Sequence, residues 1–591
     1  MSRSIPASFR SDHRMARPSA LVAWATMTWL IAAFVGAGCR LTFPQVVGGC
    51  GDGKIDEGEG CDDGNQTAGD GCDAVCAVES GWSCQQEPSR CSPNCGDGQI
   101  VGTEDCDGTN LADQTCTDLG LEGGTLACSL DCTFDTSACW YCGNGVTDPG
   151  EECDGGGQNT ESCDEDCTAA VCGDGVFNPV AREECDDANE VDDDGCADCK
   201  VSDWRVNTYT QGNQNHPAVA RGGDGRFVVV WQSDGQDGDG LGVFGQLYDS
   251  VGHPIGNEFQ VNTFTAGDQE KPAVAMGGDG RFVVLWKSAL QDGYQGGIYA
   301  QLYDANGDPL GDEFLVNSEV RSEQTNPAVV MGDDGRFIAV WQSWDQDGSW
   351  DGIFCQRYDA NGGPVDDEFQ VNTYTDHSQG TPVVDMGDDG RFVVVWNSDG
   401  QDGDDMGIYG QLYDGAAAPV GGEFRVNETT SAIQRNPDVA MGADGFFLIV
   451  WQSVGQDGYA AGIFARQYNA SGSPQGPEFL VNSYVNGNQW DASVAMDADG
   501  QFLVVWQSDG QDGDAAGIFG QRYDGDASVV GEEFQINLVT VGYQTDPALA
   551  MADNGRFVVV WRSGSSQDGD GDGVFGALYS IDGLREAPGL W

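Results

Sequence analysis

Gly225-Arg226-Phe227-Val228-Val229-Val230-Trp231 decides the fold, because its closing tryptophan recurs every 55 residues as Trp286, Trp341, Trp396, Trp451, Trp506 and Trp561. A self-similar period of this kind means one supersecondary unit stacked on copies of itself. Around each tryptophan the same parts return. In the second repeat they are Lys271-Pro272-Ala273-Val274-Ala275-Met276, a Gly277-Gly278-Asp279-Gly280 turn, the run from Arg281 to Trp286, a loop with Gln291-Asp292-Gly293, a stretch from Gly297 to Tyr303, and Glu313-Phe314-Leu315-Val316-Asn317. Short β-branched and aromatic runs separated by Gly, Asp, Asn and Pro read as four strands and their turns. A run such as Phe392-Val393-Val394-Val395-Trp396 is apolar at both alternations, so both faces of its sheet need cover. Four-stranded sheets stacked face to face around an axis are propeller blades.

The ends of the repeat region point to a closed ring. Asn207 is in register with Asn262, Asn317, Asn372, Asn427, Asn482 and Asn537, and Trp204 occupies the place held later by Phe259 and its equivalents, whereas nothing of this kind follows Tyr579. The segment from Trp204 to Asn207 is therefore expected to supply the outer strand that the seventh repeat lacks, leaving no open edge. The fold class expected is mostly β, with small disulfide-rich modules followed by a seven-bladed β-propeller over residues 203–591. These repeats resemble those of bacterial seven-bladed β-propellers.

Cysteine marks the other half of the chain. Of 22 Cys, 20 lie in residues 50–199, one is Cys39, and Cys355 alone falls among the repeats, where it stands in for Gly245 or Ala300 as a buried thiol. The 20 divide into four groups, opening at Cys50-Gly51-Asp52-Gly53, Cys95-Gly96-Asp97-Gly98, Cys142-Gly143-Asn144-Gly145 and Cys172-Gly173-Asp174-Gly175, with six, six, four and four Cys. Even counts let each module close internally, while the connectivity stays open. Zinc is the rival use of Cys196-Ala197-Asp198-Cys199, but no His lies between His13 and His216, and disulfides are favoured. The first group, with Cys61-Asp62-Asp63-Gly64-Asn65 and Gly81-Trp82-Ser83-Cys84, resembles the myxobacterial cysteine-rich repeat family. That resemblance implies small disulfide-bonded modules of secreted and surface proteins. The second and third groups lack the Asp-Asp-Gly-Asn run, which weakens any role for it in every copy.

Residues 1–38 carry Arg3, Arg10, Arg14 and Arg17 and then an uncharged apolar stretch, the pattern of a secretory signal. It ends in Val35-Gly36-Ala37-Gly38-Cys39, which looks like a bacterial lipobox with Cys39 as the lipid-attachment residue; residues 39–49 form a linker. A retained spanning helix is the alternative. The expected location is the bacterial cell surface or outer membrane, or the medium, with membrane contact only through the N-terminal lipid or signal anchor.

With 26 basic against 96 acidic side chains the formal charge is −70, which disfavours nucleic acid as a partner. Asp/Gly alternation in the Gln-Asp-Gly loops suggests Ca2+ held by Asp234, Asp237 and Asp239, by Asp399, Asp402 and Asp404, and by Asp568, Asp570 and Asp572; the competing reading is an Asp-capped tight turn. Four histidines at unrelated positions, with no HExxH, GxSxG or phosphate loop, and no repeat that departs from the rest, give the expectation of a non-enzyme. The chain then reads as an exported, lipid-anchored surface protein whose propeller binds a surface glycan or protein. A polysaccharide hydrolase and a plain spacer are the alternatives.

Overall fold

The computed structural model describes residues 49–586 except 122, 144–145, 148–150, 161, 171–175, 177, 179–195, 198–199, 565–566 and 581–584. Cys39 and the signal segment lie outside the described residues. The chain divides between Cys139 and Trp140 into two compact units. Among the described residues there is no α-helix, only one short 3-10 turn, Thr117–Leu119.

The first three cysteine groups close internally, as their even counts require. The bridges are Cys50–Cys76, Cys61–Cys72 and Cys84–Cys91, then Cys95–Cys132, Cys106–Cys128 and Cys116–Cys139, then Cys142–Cys167 and Cys153–Cys163. These eight disulfides fit an extracellular or exported protein. The residue that unites the modules is the Asp after the second Cys. Asp62 accepts N–H bonds from Gly51, Asp52, Gly53 and Gly64, and Asp107 does the same for Gly96, Asp97 and Gly98. Although burial works against it, this nest of N–H groups holds the Asp62 carboxyl below its usual range.

The repeat region is seven antiparallel blades in simple up-and-down order, six of four strands and the seventh of five. Blade 1 comprises Gln214–Arg221, Phe227–Asp234, Leu241–Tyr248 and Pro254–Gln260. The innermost strands pack side by side around the axis, and the Gln214–Arg221 strand of blade 1 lies against the Gln544–Met551 strand of blade 7. The second strands form the core. Val228, Val229, Val230 and Trp231 have no exposed surface, because their two faces meet different neighbouring blades. A Phe and a Tyr, paired across the second and third strands, stack in every blade, as Phe227 and Tyr248 do at 4.8 Å and 8°. The Tyr hydroxyl then reaches the preceding blade; that of Tyr358 donates to the Val316 carbonyl at 3.0 Å.

The ring closes as expected, with one addition. Trp204–Arg205 pairs with the third strand of blade 7, Arg205 opposite Phe575 and Trp204 opposite Gly576, and Asn207 Oδ1 accepts the Val574 N–H at 2.7 Å. A Cβ on Gly576 would come within 2.6 Å of the Trp204 ring, so glycine is required there. The C-terminal segment Arg585–Glu586 pairs with Leu578 and Tyr579 on that same strand. Segments from both ends of the repeat region thus share the outer edge that a single strand fills in blade 1.

Candidate functional site

Two sets of residues gather on the face where the innermost strands begin, the Gln-Asp-Gly loops and the mouth of the central channel. The loops are built as turns. Asp237 Oδ1 caps the Asp239 N–H at 3.2 Å and Oδ2 accepts from Asn262 Nδ2 at 3.2 Å, while Asp239 Oδ2 accepts the Gly267 N–H at 3.2 Å. Asp402 and Asp404 repeat this with Asn427 and Ala432. In blade 7, Asp568 accepts from Asp570 N and Asn207 Nδ2, and Asp572 is engaged by Tyr543 and Arg562. Asp234 is exposed at the end of its strand and Asp399 half-buried. The loop Gln serves the ring as well: Gln291 Nε2 donates to Glu313 Oε1 at 2.7 Å, and Glu313 Oε2 accepts the Thr263 N–H of the preceding blade at 2.7 Å. Among the described residues, three ligand atoms come within 4.8 Å of one another only in the cysteine-rich modules, where the Cys are disulfide-bonded.

The mouth is where the blades stop being copies. The third residue of each innermost strand is a non-glycine in the left-handed region, at a bulge that breaks the ladder with the second strand: His216, Lys271, Asn326, Thr381, Asn436, Asp491 and Asp546, with φ of 49, 55, 49, 52, 49, 45 and 53°. Such bulges re-aim a side chain, and a left-handed non-glycine backbone is strain that the fold has to support. In the framework around them the seven repeats keep the same Gln and Trp, while these seven positions hold five residue types.

Two arcs result. In the first, Lys271 Nζ donates to Asn326 Oδ1 at 2.8 Å, and Lys287 pairs with Glu270 at 3.0 Å and Glu323 at 2.7 Å. Burial lowers the Lys271 pKa, with Lys287 adding to the effect. Two of the chain's four lysines therefore stand in this arc. In the second arc Asp491 accepts from Asn436 Nδ2 at 2.8 Å, and Asp546 lies 3.6 Å from Arg562 Nη1. Arg435 sits over the Trp490 ring at 5.3 Å and Arg562 over Tyr543 at 5.5 Å. Burial raises the Asp491 pKa, the Asp546 carboxylate adds to it, and His216 is close enough to oppose it. Among the described residues, Arg435 Nε, Asn215 Oδ1, Thr545 Oγ1 and the Gln452 amide are enclosed polar atoms without a protein partner, all at the strand ends around this mouth. The arrangement offers a proton carrier, fixed positive charge, planar amides and aromatic faces in one opening.

The sequence signal for this site was present. A position that varies strongly between an invariant Gln two residues earlier and a following Pro, in six of seven repeats, marks a framework displaying different side chains. It was missed because a left-handed bulge inside a strand leaves no periodicity. A cleft of about 430 Å3 opens on the opposite face between blades 3 and 4, lined by Met331, Phe337, Arg357, Tyr358 and Met386. There Arg357 Nη1 donates to the Gly415 carbonyl, whereas Arg226 and Arg391, just before the second strand, donate to the equivalent Ala305 and Ala470 carbonyls.

A family model described as a domain of unknown function, DUF4215, matches residues 75–118, within the cysteine-rich region. No curated protein matches the chain. Among solved structures, the chain is similar to a protein of unknown function from Dyadobacter fermentans (11% identity, TM-score 0.39, 64% of this chain and 98% of that one). It is also similar to a family PL25 ulvan lyase (12%, 0.41, 64% and 95%) and to the NanB sialidase of Streptococcus pneumoniae (10%, 0.38, 64% and 70%). Likeness at this level concerns the fold. The expectation of a non-enzyme is nevertheless corrected: its premise, that no repeat departs from the others, fails at the mouth, where seven equivalent positions hold five residue types.

Proposed function

We propose that the chain is an exported, surface-anchored propeller that hydrolyses a polysaccharide at the channel mouth. The observation that supports this is the asymmetric ring, in which Asp491, with a raised pKa, stands beside Asp546 and the Arg–aromatic pairs of Arg435 and Arg562. Two carboxyls in different environments are what glycosidic hydrolysis uses. Protonated Asp491 gives its proton to the leaving glycosidic oxygen, the C–O bond breaks, and Asp546 takes a proton from the water whose oxygen bonds to the anomeric carbon. Planar amides such as Asn326 and Asn436 hydrogen-bond hydroxyls, and Trp490 offers a flat face to a sugar ring.

The experiment is a reducing-end assay of the full chain on neutral and uronic-acid polysaccharides, with Asp491→Asn, Asp546→Asn and Arg435→Ala alongside. Turnover by the parent that falls at least about a hundredfold in either Asp variant is expected. No turnover on any polymer, or turnover indifferent to both Asp variants, overturns the reading. Anchorage belongs to the same proposal: export through residues 1–38 and acylation of Cys39. Cys39→Ser is expected to move the protein from the membrane fraction to the medium, and unchanged retention without an acyl chain on the parent argues against it.

A further inference from the structure

Blade 3 carries a feature on the mouth face that no other blade has. Its Gln-Asp-Gly loop is bracketed by Trp344 and Trp350, where the equivalent positions hold Asp234 and Gly240, Ala289 and Gln295, Asp399 and Asp405, Val454 and Ala460, or Asp509 and Ala515. Both indoles are exposed, 44% and 57%, and they meet edge to face with centroids 5.4 Å apart at 77°. The turn that carries them is held by its backbone. Trp344 ends the Phe337–Trp344 strand opposite Asp351, its backbone N–H donates to the Glu323 carbonyl at 2.9 Å, and the Asp345 backbone N–H donates to the Trp350 carbonyl at 2.5 Å with Asp345 in the left-handed region. Two indoles in water, at positions where Asp, Gly, Ala, Val or Gln satisfy the same turn elsewhere, mark a contact surface rather than a packing requirement.

We infer that Trp344 and Trp350 form a subsite for a neutral, equatorially substituted pyranose, one indole as floor and the other as wall, on a chain whose cleavage at the mouth is the reading proposed above. The flat C–H face of such a sugar stacks on an indole, and its rim hydroxyls donate to carboxylates. The charge around the pair selects against acidic sugars. Asp345 adjoins Trp344, Asp347 follows in the loop, and Asp351 faces Trp344 across the strands with its Oδ2 fixed by Ser378 Oγ at 3.0 Å. A uronate or sulfate would enter against these carboxylates. Rigid aromatic surface costs little conformational entropy to use, which suits a long polymer held at a distance from the site that cuts it.

The test is calorimetric and fluorescence titration of the full chain with cellohexaose and xylohexaose, and with hexagalacturonate as the anionic comparison. Binding of at least one neutral hexaose is expected, weakened about tenfold or more by Trp344→Ala or Trp350→Ala, with hexagalacturonate weaker than the neutral ligand. Asp491→Asn is expected to leave this binding intact while removing turnover, so the two proposals fail separately. Because both indoles are exposed, the Trp variants should melt with the parent. No binding by the parent to any neutral hexaose overturns the subsite. So does binding that both Trp variants retain in full, or a self-association of the parent that Trp350→Ala abolishes, which would make the pair an interface between copies. Hexagalacturonate binding as tight as the neutral ligand overturns the charge selection.

Discussion

Trp396, on the second strand of its blade opposite Tyr409, is fully buried against blade 3, and its indole N–H has no acceptor among the described residues, as in the other six repeats. Its value is therefore volume and contact. Trp396→Phe removes no hydrogen bond and is expected to cost about 1–3 kcal/mol, and Trp396→Ala about 3–5 kcal/mol, read from denaturant midpoints of the full chain. Two innermost-strand residues carry the opposite kind of cost. Asp385 and Asp438 stand where the other blades hold Ala, Val or Ser, and each accepts an N–H from the next blade, Met441 at 2.7 Å and Val494 at 2.9 Å. Burial raises Asp385 to about 7 and Asp438 to about 6, although both keep some access to the channel. The folded form then holds protons that the unfolded chain has released, so the stability they contribute is full below the ordinary carboxylate range and is lost as pH rises through 6 to 7. In the double variant Asp385→Ala, Asp438→Ala, the melting temperature should fall less between pH 5 and pH 8.5 than in the parent. An identical fall would place the titrating groups elsewhere.

At the scale of the element, the Gln-Asp-Gly loop is one turn used seven times to lock neighbouring blades. Among the described residues its Gln binds the outer-strand Glu in six blades, its Asp binds the invariant Asn in four, and a second Asp bridges to the link between blades in three, as Asp514 does to the Gly542 N–H at 2.9 Å. In the Asp-rich loops of blades 1 and 4, calcium would have to draw these oxygens from N–H donors that already compensate their charge. The expected outcome is that millimolar calcium raises the melting temperature of the full chain no more than sodium chloride of matched ionic strength; a larger rise in calcium alone would identify the loops as ion sites. Strand number, strand order and ring closure were legible because repetition reports them seven times, and the apolar run at Val228, Val229 and Val230 says that both faces are covered. The mouth was not legible in the same way. His216, Lys271, Asp491 and Asp546 look unrelated in the chain, and only the bulge that the seven repeats share brings them to one ring. The Cys pairing was bounded by parity, while the role of Asp62 depends on backbone N–H directions that composition does not record.

For the whole molecule, stability depends on a joint made from both ends of the repeat region. Trp204 is buried against Phe227 and Tyr248 of blade 1 while pairing with blade 7, so it bridges the two blades that must meet. Asp203, almost wholly buried, does for this joint what Glu313 does elsewhere: it accepts the Leu538 N–H at 3.1 Å and the Val539 N–H at 3.0 Å. It is also paired with Arg585 at 2.5 Å, whose other nitrogen donates to the Ile536 carbonyl at 2.7 Å. Deleting residues 203–207 removes a strand, an aromatic bridge and the Asn207 contact together, and the loss should exceed the roughly 3–5 kcal/mol of one large core truncation. Arg585→Ala separates the two halves of the joint. It leaves the strand from Trp204 in place but strands the buried Asp203 charge, at an expected cost of about 3–5 kcal/mol. If closure works as one unit, the two changes combined should cost little more than the deletion alone, because Arg585 has lost its partner already. Additive losses in denaturant titration would mean that the C-terminal segment stabilises blade 7 independently, and a deletion that unfolds like the parent would mean that the ring does not need the joint.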